Sequence, residues 1–360
     1  MKICFLAAAN SIHSYRWVKY FEEDGCEIVW ISVAPNIFDP LPRVAFHEIP
    51  CDGSPLGVIR AGLEVRKILK VEKPDVLHIH YVGTYGLIGL LSGFSCIVST
   101  PWGSDVIFGG KSLLKRPLIK AILRKSTLVT CDALHMLEKV KQLGIPGEKI
   151  RIVNFGIDTE RFSPGKPDQE FRRRYDLVSA PVVVSLRNFE EVYDISSLLK
   201  AIPLVLRKHP EARFVIVGKG PLESQLKREA TSLGIDHAVR FLGFIPNDRM
   251  PGVLCDLDIY VSTSLSDAGI AASTAEAMAC GLPVVITDSG ENGRWVTDGV
   301  NGFLVPVSRP DALAEKINLL IEDGGLRLRM GSAGREKIRA DNDYKAEMRK
   351  MKSLYSTLVK

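Results

Sequence analysis

Short apolar runs rich in β-branched residues recur along the whole chain, and nearly every one is followed by a stretch with helical spacing. Runs this uniformly apolar suit strands covered on both faces, and strands that alternate with helices belong to a parallel sheet. In the first half the expected strands are residues 2–8, 26–32, 44–49, 75–80, 95–100, 127–131 and 149–155. Helices are expected at 10–24, 55–71, 84–91, 115–125 and 133–143, with Ser11 capping the first. The series restarts with strands at 181–186, 213–218, 239–242, 258–262, 282–287 and 303–305. Helices are expected at 195–207, 221–233, 247–254, 271–280 and 311–322. A last amphipathic helix, 342–360, carries Met348, Met351, Leu354, Tyr355 and Leu358 on its apolar side.

With 360 residues, the chain is too long for one ordinary core and suits two. Residues 154–165, bracketed by Gly156 and Pro164, are the expected link. The resulting division is 1–160, 161–338 and a C-terminal helix at 339–360. Apolar content of 46% with 25% charged residues fits a soluble globular protein. A net charge of +5 gives no reason to expect a nucleic-acid partner. Seven scattered cysteines lack metal-type spacing and read as reduced thiols in a cytoplasmic protein. His78 and His80 share one face of a strand, but without a third ligand no metal site is expected. No run is apolar and long enough to span a bilayer, and no signal peptide is expected.

The most informative stretch is 261–288, VSTSLSDAGIAASTAEAMACGLPVVITD. It reads as strand, small polar loop, helix and strand. A helix that opens just beyond a strand and a glycine-containing loop directs unpaired N–H groups at that loop, where phosphate binds well. Glu276 interrupts an otherwise small and apolar helix. A carboxylate there either takes the hydroxyls of a sugar or ribose, or serves a neighbouring backbone group or water.

The run EAMACGLPVV with its preceding loop resembles the donor-site signature of retaining glycosyltransferases of family 4, the glycosyl transferases of group 1. That resemblance implies the GT-B fold, an α/β architecture of two Rossmann-like αβα domains facing each other across a cleft. It implies a first domain for the acceptor, a second for a nucleotide sugar, and a final helix crossing back to the first. Glu276 then binds the donor ribose, and the amides of Gly269, Ile270 and Ala271 meet the diphosphate. A second glutamate of the family pattern falls on Ala268 here, so Asp267 is the candidate sugar contact. Arg187 follows an expected strand where the family places a diphosphate-binding arginine. The family's lysine a few residues on is absent, with Val192, Tyr193 and Asp194 in that region, and Lys219 is the candidate substitute. Phe244 and Ile245 stand where the family's backbone meets the base. Arg187 and Glu276 are the catalytic assignments. In the first domain Asn10, Ser11, His13, Trp102 and Asp105 follow strands and should line the acceptor side.

The implied activity is transfer of a sugar from a nucleotide diphosphate to an acceptor hydroxyl of a glycan, glycolipid or small molecule. It proceeds with retention, without a metal or other cofactor, and without a protein base. A basic run of Lys111, Lys115, Arg116, Lys120, Arg124 and Lys125, interleaved with leucines and isoleucines, reads first as a solvated helix face. Its sharper reading is peripheral contact with the inner face of an anionic membrane, which would serve a lipid-linked acceptor. Two rival readings remain at this stage: a sugar-nucleotide epimerase of the same fold, and a nucleotide-sugar-binding protein without turnover.

Overall fold

The computed structural model of the chain describes residues 1–107, 115–165, 169–267 and 269–359. They form two compact units, Met1–Phe155 with Lys345–Lys360, and Gly156–Tyr344.

In the first unit the strands are β1 (Lys2–Leu6), β2 (Glu27–Ser32), β3 (Val44–Glu48), β4 (Val76–His80), β5 (Ile97–Thr100), β6 (Leu128–Cys131) and β7 (Ile150–Ile152). They pair in parallel in the order β3-β2-β1-β4-β5-β6-β7. β1, β4, β5 and β6 are almost wholly buried, which is why their sequences carry no polar alternation. Helix Pro55–Glu72 begins as its sequence dictates: the Ser54 hydroxyl accepts the Gly57 amide at 3.0 Å and proline takes the first turn. Helix Ile12–Glu23 departs from expectation, because Ser11 occupies the cap position and its side chain makes no capping bond. β7 is also shorter than expected. Val153 still donates to the Cys131 carbonyl at 2.9 Å, and the Asn154 amide then turns to Glu347 at 2.6 Å.

That glutamate lies on helix Tyr344–Leu358, which packs within the first unit. Met348, Met351 and Tyr355 are fully buried there. The Tyr355 hydroxyl bonds His78 Nδ1, and His78 Nε2 bonds the Thr100 hydroxyl at 2.6 Å. Lys352 pairs with Asp24 at 2.5 Å.

In the second unit the strands are β8 (Val182–Ser185), β9 (Arg213–Val217), β10 (Val239–Gly243), β11 (Ile259–Ser262), β12 (Val284–Thr287) and β13 (Phe303–Val305). They pair in parallel in the order β10-β9-β8-β11-β12-β13. One long helix, Gly324–Asp341, is absent from the sequence-based expectation. Its Gly331 faces the Gly281 carbonyl so closely that a Cβ would overlap it. Its Arg335 donates to the carbonyls of Ala279, Phe162 (3.1 Å) and Thr159 (3.3 Å), placing a cation at the C-terminal end of helix Ala272–Ala279. Both sheets thus carry helices in the doubly wound manner of Rossmann-like units.

Candidate active site

Helix Ala272–Ala279 opens beyond β11, with Ala271 as its cap residue. Its first amides without an intrahelical acceptor are therefore those of residues 272–274, and the set expected from sequence, 269–271, lies in the approach to the helix. Two hydroxyls fix this start to the sheet. Tyr260, fully buried on β11, bonds Ser273 at 2.9 Å and accepts from Thr274 at 3.2 Å. Glu276 is half-buried one turn further along, and Gly269 and Ile270 are half-buried in the approach to the helix. Ala268, where the family pattern has its first glutamate, lies outside the described residues.

Arg187 extends from the end of β8 and is only 10% exposed. Its Nη2 donates to Asp267 Oδ1 at 2.6 Å, and Asp267 is 7% exposed. The guanidinium also lies over the Tyr193 ring, with Cζ 4.3 Å from the centroid. The loop of Tyr193 is tied to the β11 loop. Thr263 donates to the Tyr193 carbonyl at 2.9 Å, and the Leu265 amide donates to the Val192 carbonyl at 2.8 Å. Asn292, buried after β12, donates from Nδ2 to Asp267 Oδ2 at 3.4 Å and to the Thr287 carbonyl at 2.9 Å. Gly290, at φ 57°, lies where a Cβ would overlap the Asp267 carbonyl. Sequence reasoning located Arg187, Asp267 and Tyr193 but missed Asn292 and Gly290. The signal was present in the polar DSGEN segment directly beyond β12.

Lys219 is exposed at the end of β9, and its carbonyl accepts the Phe189 amide at 3.0 Å. Phe244 is 70% exposed and Ile245 half-buried. With Phe171, Tyr175 and Arg249 they line a hollow of about 400 Å³, to which Arg187, Asp267 and Glu276 do not contribute.

In the first unit, His13, Trp102 and Phe155 form an aromatic cluster with centroid separations of 5.0–6.1 Å. Asn10 is exposed beside it in sequence and Ser11 half-buried. Asp105 is engaged by the backbone. It is 5% exposed, and its carboxylate accepts the amides of Val82 (2.7 Å), Trp102 (3.1 Å), Gly103 (3.0 Å) and Val106 (3.0 Å). It clamps the loop after β5, and these amides occupy its carboxylate. Burial pushes its carboxyl above the usual range, opposed by those four amides. His80 is 2% exposed, and neither ring nitrogen has a partner. Burial, and then His13, lower its pKa to about 3. Among the described residues no group of three or more His, Cys, Asp or Glu side chains is placed to hold a metal ion.

Two Rossmann-like parallel-sheet units of this topology are the architecture of the GT-B class of glycosyltransferases. The sequence pattern of Glycosyl transferases group 1 matches residues 168–337, and that of Glycosyl transferase 4-like matches residues 2–133. A GDP-mannose-dependent alpha-(1-6)-phosphatidylinositol monomannoside mannosyltransferase from Mycolicibacterium smegmatis is 30% identical over 262 residues, covering 69% of this chain and 67% of the relative. The N-acetyl-alpha-D-glucosaminyl L-malate synthase of Bacillus anthracis is 24% identical over 333 residues, covering 89% and 86%. Among solved structures, Anabaena HepE in complex with UDP superposes with a TM-score of 0.82 at 19% identity, covering 99% of this chain and 100% of that one. This chain belongs to the glycosyl transferases of group 1, glycosyltransferase family 4, and is a GT-B glycosyltransferase.

Proposed function

We propose that the protein transfers a sugar from a nucleoside diphosphate to an acceptor hydroxyl with retention of anomeric configuration, without a metal. The observation that carries this reading is a buried, oriented arginine in the same unit as a helix start fixed by Tyr260. Arg187 and the amides of that start supply directional positive charge for the leaving diphosphate. Lys219 adds a mobile point charge from the neighbouring strand end. Glu276 binds the ribose of the donor. Attack from the face of the departing phosphate lets a phosphate oxygen take the acceptor proton, so no side chain is assigned as base. Relatives named for GDP-mannose and a neighbour solved with UDP and UDP-glucose support a nucleotide sugar as donor.

The acceptor is assigned to the first unit, with His13 and Trp102 offering aromatic faces to a sugar ring. On helix Lys115–Lys125, Ile119, Ile122 and Leu123 are buried in the unit, while Arg116, Arg124 and Lys125 are exposed. Lys111 of the same basic run lies outside the described residues. Membrane contact through this helix is therefore proposed as chiefly electrostatic attachment, with Leu118 the large apolar side chain exposed beside the basic residues.

Arg187→Ala should weaken nucleoside diphosphate binding by roughly 1.5–3 kcal/mol, the scale of a charge-assisted hydrogen bond. Unchanged affinity by calorimetry would remove Arg187 from the site. Activity should survive exhaustive chelation, and the product's anomeric proton coupling should match the donor's. Abolition by chelator, or inversion, would overturn the mechanism.

A further inference from the structure

The loops after β8 and β11 meet at the Arg187 guanidinium through Tyr193 and Asp267, and the loop after β12 joins them through Asn292 on Asp267. We propose that Asp267, with Tyr193, is a positioning residue that fixes Arg187 for the β-phosphate of the donor, and that Asp267 is not a ligand of the sugar hydroxyls. The inference rests on the nucleotide-sugar reading above and deepens it.

Asp267 cannot easily serve a sugar. One of its carboxylate oxygens accepts Arg187 Nη2 at 2.6 Å and the other accepts Asn292 Nδ2 at 3.4 Å. Its backbone is confined as well, since its carbonyl accepts the Glu291 amide at 3.4 Å and lies against the bare Cα of Gly290. A carboxylate gripped at both oxygens and 7% exposed has little left to offer an incoming hydroxyl.

Arg187, by contrast, is oriented without being saturated. The Tyr193 ring fixes the plane of the guanidinium and Asp267 fixes one edge. Away from bulk water such charge-assisted bonds are strong and directional. Yet the Nε–H is buried and has no acceptor, so the cluster is one acceptor short. A buried donor without an acceptor is costly, and a phosphate oxygen supplies the missing partner. The ion pair also offsets most of the arginine's net charge. Arg187 therefore selects by the direction of its N–H groups, and long-range attraction of the donor falls to other cations such as Lys219.

The test compares nucleoside diphosphates with monophosphates, because only the former carry a β-phosphate. Binding of UDP, GDP, UMP and GMP is measured by titration calorimetry on the wild-type chain and on Asp267→Asn, Tyr193→Leu and Tyr193→Phe. For the nucleotide that binds, Asp267→Asn should lower diphosphate affinity about tenfold, the scale of one well-aligned charge-assisted bond, and leave monophosphate affinity within about twofold. Tyr193→Leu should do the same and Tyr193→Phe should retain binding, which keeps the test decisive if Asp267→Asn folds poorly. Equal losses for mono- and diphosphate mark a merely structural role and overturn the proposal. So does diphosphate affinity that is unchanged or improved, since the carboxylate would then be idle or a competitor. Should the wild-type chain bind no nucleotide at all, the donor reading falls and takes this proposal with it. Binding by wild type with indifferent variants removes the positioning role alone.

Discussion

At the scale of single residues, the chemistry of a side chain follows from what surrounds it, and Cys255 shows this outside the active site. Its thiol contacts the Ser163 carbonyl at 3.4 Å. The Cys280 thiol and the Gly165 amide hydrogen-bond to it, and together they pull its pKa down to about 7 despite partial burial. Burial pushes the thiols of Cys4 and Cys131 the other way. Because the thiolate is the nucleophile, iodoacetamide at neutral pH should label Cys255 ahead of the other six cysteines. Peptide mapping by mass spectrometry checks this, and earlier labelling of Cys51 or Cys96 would refute it. The same dependence on surroundings limits what a sequence discloses. The positions of Arg187 beyond β8 and of Glu276 on the helix after β11 were legible because strand–loop–helix spacing is local. The amide clamp on Asp105 was not legible, because its four donors include Val82, which the pairing of β4 with β5 brings beside it. Asn292 was missed because its contact with Asp267 joins loops after different strands.

At the scale of elements, local rules succeed where the element is decided locally. Ser54 and Ser11 both precede helices, yet only Ser54 accepts a capping amide. Ser54→Ala should cost about 1 kcal/mol in denaturant unfolding, while Ser11→Ala should be nearly neutral. Equal effects would mean the caps do not distinguish the two helices. The central strands were readable from their β-branched runs because both of their faces are covered, whereas β3 at the edge is largely exposed. Helix Gly324–Asp341 was not readable, since its four glycines argue against a helix on propensity alone. Tertiary packing overrides that preference at Gly331, where the helix approaches the Gly281 carbonyl too closely for any side chain. Gly331→Ala, which improves helix propensity, should nonetheless destabilise the second unit by roughly 1–3 kcal/mol. A rise in its melting temperature would contradict the packing argument.

At the scale of the whole molecule, acid sensitivity should trace to the buried imidazoles of the first unit. His80 has a folded pKa of about 3 against an ordinary value of 6.5. Between those values the unfolded chain binds the extra proton, so stability rises with pH across the window and is lost as pH falls below 6.5. His80→Phe should therefore gain roughly 2–3 kcal/mol over wild type at pH 4.5 relative to pH 7, read from urea unfolding at both pH values. A constant difference between the two would exclude His80 as the acid-labile group. The placement of helix Tyr344–Leu358 has a further consequence for biosynthesis. Residues 345–360 belong to the first unit, although every residue of the second is translated before them. The pocket that Met351 and Tyr355 fill must stay open, or be shielded, until the whole of the second unit has been synthesised. The first unit is thus begun before the second and completed only after it, so its core closes later than its early place in the chain suggests.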